Sequence, residues 1–148
     1  MRTPTIFHVA NYILLFSRSY VTKYKLGYLC YYSQAYHIAW SGKQIFNEDF
    51  VAWMNGAVSK DLLERLKDNF EVPITTFSYA DINELYEDER ESIDVILNTY
   101  QEMKPFQLRN QIRDEDPWKL ARKGVPEYQQ SDNIITKQSM FDYYIQFT

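Results

Sequence analysis

Apolar and polar positions follow a helical period almost from the start of the chain. Thr3-Pro4 supplies a cap and a proline at a first helical position, and Val9, Ile13 and Phe16 then share a face, predicting a helix to about Ser17. The next segment departs from the usual one-sided pattern. Between Thr22 and Trp40, one side holds Leu26, Leu29, Cys30, Ser33, His37 and Trp40. The other side holds Tyr24, Tyr28, Tyr31, Ala35, Ile38 and Ala39, so no clear polar face is left. A helix without one belongs in the middle of its domain. The pattern therefore predicts a central buried helix over about 22–40, ended by Ser41-Gly42.

Shorter elements follow. Gln44–Phe46 and Val51–Trp53 flank Asn47-Glu48-Asp49 and predict a small two-stranded β element near 44–53. Ser59 caps a helix to about Asn69, with Leu62, Leu63 and Leu66 inward, and Glu71-Val72-Pro73 breaks it. Glu87, Asp88 and Glu89 suit the positive end of a helix running to about Met103, whose buried face is Ile93, Ile96, Leu97 and Tyr100. Pro105 and Asp116-Pro117 open two short helices, the second holding Trp118, and 124–133 reads as loop. Thr136 caps a last helix with Met140, Phe141, Tyr144 and Phe147. The fold class is mostly α: a single compact domain over 1–148, built on the central helix.

Composition sharpens this picture in one respect. The chain carries 13 tyrosines, which are either buried rings with satisfied hydroxyls or a surface made to grip another protein. Its charge is lopsided: residues 1–47 hold five cations and no acid, so the rest carries −9 against a total of −4. The two parts can neutralise each other within the fold or orient a charged partner. With no Arg/Lys-rich stripe, direct nucleic-acid binding is not expected. The single cysteine, Cys30, excludes an internal disulfide and makes the cytoplasm the default compartment. His8 and Asn11 interrupt the apolar stretch 6–16 and no cleavage pattern follows, so neither a signal peptide nor a membrane span is expected.

Chemistry is sparse. Gly27, Gly42, Gly56 and Gly124 are too scattered for a phosphate-cradling loop, and no nucleophile elbow or zinc-protease helix is present. His37 and Cys30 lie on the apolar face of the central helix and read as core residues. The acidic run near Glu87 lacks the spacing of a calcium loop. An enzyme is not expected, and no cofactor or metal site is indicated.

The order of several short motifs carries more. Val9-Ala10-Asn11-Tyr12-Ile13-Leu14 is followed by Lys25-Leu26 and by Leu29-Cys30-Tyr31-Tyr32-Ser33-Gln34-Ala35. Then come His37-Ile38-Ala39-Trp40-Ser41-Gly42-Lys43, Ala52-Trp53-Met54-Asn55-Gly56-Ala57-Val58, Glu115-Asp116-Pro117-Trp118 and a C-terminal Met140 to Tyr144. In this order, from about Ile6 to Tyr144, the chain resembles the Panacea domain, also described as SocA-like and phage-associated. The resemblance implies a compact helical domain acting as an antitoxin, which neutralises a toxin, usually encoded beside it, by direct binding. The toxins opposed by the family include alarmone-synthetase-like enzymes and other translation inhibitors. One branch resembles an adaptor that delivers the toxin to a AAA+ protease, and a phage or prophage protein binding a host defence factor is the other alternative. Within the motifs, His37, Trp40, Trp53, Gly56, Pro117 and Trp118 are read as structural. Tyr24, Tyr28, Tyr31 and Tyr128 are the candidate partner contacts, although the central-helix tyrosines read more readily as core. The chain has Ala57 where the family commonly has proline, and it lacks the Thr-His that commonly precedes the acidic-Pro-Trp segment.

Overall fold

Thr5, rather than Thr3, starts the first helix. In the computed structural model, which describes residues 3–66 and 70–147, α1 spans Ile6–Phe16. The Thr5 hydroxyl accepts from the Phe7 amide at 3.2 Å, and His8 Nδ1 accepts from the Thr5 amide at 3.0 Å. This reciprocal cap needs a side-chain acceptor three residues on, which His8 supplies for Thr5. His8 Nε2 therefore carries the proton and donates to Glu84 Oε1 at 2.8 Å.

The central helix is as expected. α2 spans Lys23–Ser41 and ends at Gly42, whose φ of +75° suits glycine. Thr22 has cap geometry but its hydroxyl makes no capping bond. Leu26, Leu29, Cys30, Tyr31, Tyr32 and Ala35 are fully buried. Around α2 pack α1, α4 (Glu87–Tyr100), α5 (Pro105–Arg113) and α7 (Lys137–Tyr144), giving one continuous apolar core. α3 (Lys60–Leu66) and α6 (Asp116–Ala121) complete the helices. Ser59 caps α3 through its hydroxyl, and the expected end of that helix at Asn69 lies outside the described residues. α4 stops at Tyr100 instead of Met103. No described helix is long and apolar enough to cross a membrane.

The β element is three-stranded and paired differently from expectation. β1 (Phe50–Trp53) pairs with β2 (Gly56–Val58), in the register Val51 with Val58 and Trp53 with Gly56. β3 (Ile134–Ile135) adds to the other edge of β1, opposite Val51 and Phe50. Residues 44–46 form no strand because a side chain satisfies their backbone: Gln34 donates to the Phe46 carbonyl and accepts from the Ile45 amide, both at 2.7 Å. The hairpin turns instead at Met54-Asn55, where Gly56 takes φ +102°. A Cβ there would lie 3.4 Å from the Tyr28 ring and 3.6 Å from the Arg109 stem. Gly56→Ala is expected to lower stability by more than about 1 kcal/mol, as read by urea unfolding, chiefly through the backbone strain.

Candidate partner-binding face

The β1–β2 turn is the point where three distant segments meet. From α6, the Trp118 indole donates to the Trp53 carbonyl at 2.8 Å. From the 124–133 loop, Gln130 accepts from the Met54 amide at 2.9 Å, and Asp132 accepts from the Trp53 indole at 2.7 Å. Asp132 also pairs with Lys60 at 3.1 Å, and both partners hold its carboxyl below the usual range. From α2, the Tyr28 hydroxyl donates to the Asn55 carbonyl. Four hydrogen bonds from three segments brace this short turn.

Arg122 organises the same region from below. It is buried, and its guanidinium donates to the Ala52 carbonyl at 2.8 Å and the Pro126 carbonyl at 3.1 Å, with Glu127 and Gln129 carbonyls also in its reach. It lies over Trp118, 5.0 Å from the ring centroid, and Arg113 stacks on that ring at 5.2 Å. One side chain thus ties strand β1 to the loop that carries Tyr128. Between Arg113, Lys119, Trp118 and Arg122 opens a cleft of about 600 Å³.

Of the tyrosines proposed as contacts, the fold leaves two at the surface. Tyr128 is 87% exposed at the tip of the anchored loop. Tyr24 is half-buried, with its ring 6.5 Å from that of Tyr28. Tyr28 is 3% exposed and its phenol is pushed up to about 12 by burial, and Tyr31 is wholly buried. Neither ring is presented to a partner in this fold. A phenol chain accounts for Tyr31 and its neighbours. Tyr31 meets Tyr144 at 3.1 Å, and Tyr144 and Tyr32 each donate to Glu115 Oε1 at 2.8 Å. Gln111 donates to the Tyr32 hydroxyl at 2.9 Å. Burial raises the Glu115 carboxyl above its ordinary value, while the two phenols pull it back.

The motif residues fall into place around this framework. Pro117 and Trp118 are buried at the start of α6, while Trp53 is partly exposed. Trp40 is 40% exposed and packs on Tyr36, ring centroids 5.4 Å apart. His37 meets the Ser92 hydroxyl at 2.7 Å and stands 3.9 Å from Asp88 Oδ2. The Ser92 hydroxyl has two acceptors in reach, the Asp88 carbonyl at 3.1 Å and His37 Nδ1 at 2.7 Å, and the imidazole tautomer sets which of them takes its proton. Burial pushes the His37 imidazole below its ordinary value, with Asp88 opposing, and an open depression of about 340 Å³ lies beside it. Cys30 is buried and its thiol pushed far up, so it is inert. Among the described residues no cluster of three metal-ligating side chains forms.

A second depression, of about 610 Å³, is more apolar. It is lined by Leu14, Val21, Val72 and Ile74, with Tyr20 exposed on it and Arg18 as its charged liner.

Sequence reasoning missed the roles of Glu115, which accepts from two phenols, and of Arg122, whose guanidinium reaches four carbonyls. A glutamate before Asp-Pro reads as a solvated helix start, and an arginine in Lys119-Leu120-Ala121-Arg122-Lys123 reads as surface. The usable signal was indirect: so many phenols on both sides of a buried helix need acceptors.

The family model described as antitoxin SocA-like, Panacea domain matches residues 29–119, which hold the hairpin turn, Trp118 and most of α2. No curated protein and no solved structure matches the chain.

Proposed function

The chain belongs to the antitoxin SocA-like, Panacea-domain family, and from that premise we propose that it neutralises a toxin, encoded by the neighbouring gene, by binding over the toxin's active site. It does so as a scaffold and not as a catalyst. The observation that carries this reading is the braced β1–β2 turn, held on one side by Tyr28 of α2 and on the other by Gln130 and Asp132. Tyr24 precedes Tyr28 by one helical turn and is partly buried, and Tyr128 precedes Gln130 in the loop and is exposed, so each bracing segment also carries a tyrosine with surface to offer. Tyr and Trp bury large area for few rotamers lost, and a pre-formed surface loses less entropy on binding.

The contact residues are tested by alanine substitution. Tyr128→Ala is expected to weaken binding of the purified toxin about tenfold and Tyr24→Ala somewhat less, with unfolding midpoints little changed for the exposed Tyr128. Tyr20→Ala, in the separate apolar groove, is the control and should leave affinity unchanged. Titration calorimetry reads all three. Loss of binding with Tyr20→Ala alone would move the contact to that groove and refute the face assigned to the hairpin turn.

A further inference from the structure

Resting on the antitoxin reading, we propose that the cleft between α5, α6 and the 124–133 loop is an oxyanion site that receives a carboxylate side chain of the bound toxin. Its cations differ in what they already do. Arg122 gives its N–H groups to backbone carbonyls and serves as a wall. Arg113 does not: its Nε is buried without a hydrogen-bond partner among the described residues. A buried guanidinium N–H left without an acceptor is costly, and ordinary folds leave few. The internal carboxylate facing Arg113 is Glu127, 3.7 Å from Nη2 and with its own side chain 66% exposed.

That is a weak, solvent-screened contact at one edge of the guanidinium. An incoming carboxylate displaces Glu127 and pairs with the guanidinium at its exposed Nη2 edge, where the charge-assisted hydrogen bond is strong. The Trp118 ring, 5.2 Å from Cζ, already holds the guanidinium by a cation–π contact, so less side-chain freedom remains to be lost. Lys119, exposed on the same cleft, supplies a second positive charge. The rim acids Asp114 and Glu127 repel a multiply charged phosphate ester, whereas one carboxylate replaces Glu127 charge for charge. The ligand is therefore an aspartate or glutamate of the partner protein.

The test measures affinity for the purified product of the adjacent gene across a salt series. Arg113→Gln is expected to weaken binding about tenfold or more and to flatten its salt dependence, with Arg113→Lys falling between it and wild type. Because Arg113 packs on Trp118, two exposed substitutions separate recognition from folding. Lys119→Gln should weaken binding about threefold, and Glu127→Gln, which removes the internal competitor, should tighten it by a similar factor. Unchanged affinity in Lys119→Gln and Glu127→Gln overturns the site while leaving the antitoxin reading intact. So does saturation of the cleft by inorganic phosphate, followed by amide shifts of Arg113 and Lys119, with no loss of toxin affinity. Failure of the wild-type chain to bind the toxin at all refutes the antitoxin reading itself.

Discussion

Trp118→Ala is expected to destabilise the domain by about 3–5 kcal/mol, the range for deleting a buried tryptophan ring, and to be the most damaging single change among the motif residues. Trp118 is 8% exposed, so the truncation leaves a cavity that α6 alone cannot close. The loss does not stop at packing. The Trp53 carbonyl loses its indole donor, and two guanidiniums, Arg113 and Arg122, lose the ring on which both are stacked. With Arg122 loosened, the carbonyls of Ala52 and Pro126 lose their shared partner, and the loop bearing Tyr128 is freed from the sheet. Urea unfolding should therefore show a lower midpoint, and amide exchange should speed up in 124–133 before it does in α2. Trp118→Phe keeps an aromatic ring, though not the indole N–H, and should recover more than half of the loss. A Trp118→Ala protein as stable as wild type would mean that α6 is peripheral.

Glu115→Ala is expected to cost about 2–4 kcal/mol, because it strands two buried phenol hydroxyls, Tyr32 and Tyr144, without their acceptor. Glu115→Gln keeps an acceptor oxygen in place and should cost distinctly less. The carboxylate also gives the stability a pH signature. Burial raises the Glu115 carboxyl in the fold above its ordinary 4.5. Above 4.5 and up to that raised value the folded state holds a proton that the unfolded chain has released, so the contribution of this group is full below 4.5 and declines as pH rises through the window. The wild-type chain should show that decline, and Glu115→Gln should remove it while leaving the rest of the profile unchanged. Thermal midpoints collected across the window at constant ionic strength read both effects. An identical pH profile in the two proteins would show that Glu115 does not titrate in the phenol network.

The two substitutions probe what was hard to read in the sequence. The central helix was legible because a lack of polar face over 22–40 has few explanations, and α5, α6 and α7 were legible from Pro105, Pro117 and Thr136 at their starts. The β pairing was not. Apolar residues at 44–46 look like a strand, and only the fold reveals that the Gln34 amide has taken the place of a partner strand. The site was half legible for a similar reason. Tyr24 and Tyr28 are one helical turn apart and chemically identical in sequence, yet one is half-buried and the other reaches into the hairpin turn to bond Asn55. Arg122 carries no local sign of its role, because its partners lie 70 residues upstream at Ala52 and in the loop that follows it. Periodicity registers faces of one element, whereas such a side chain bridges several.

A chain that switches off a toxin by occupying it inhibits that toxin without any third component. The direct measurement is titration of the purified chain into the purified product of the adjacent gene, while the activity of that product is followed. Stoichiometric inhibition in the absence of any protease, matched by formation of a stable complex, is the predicted result. Full toxin activity at saturating chain, with no complex on size exclusion, would contradict it.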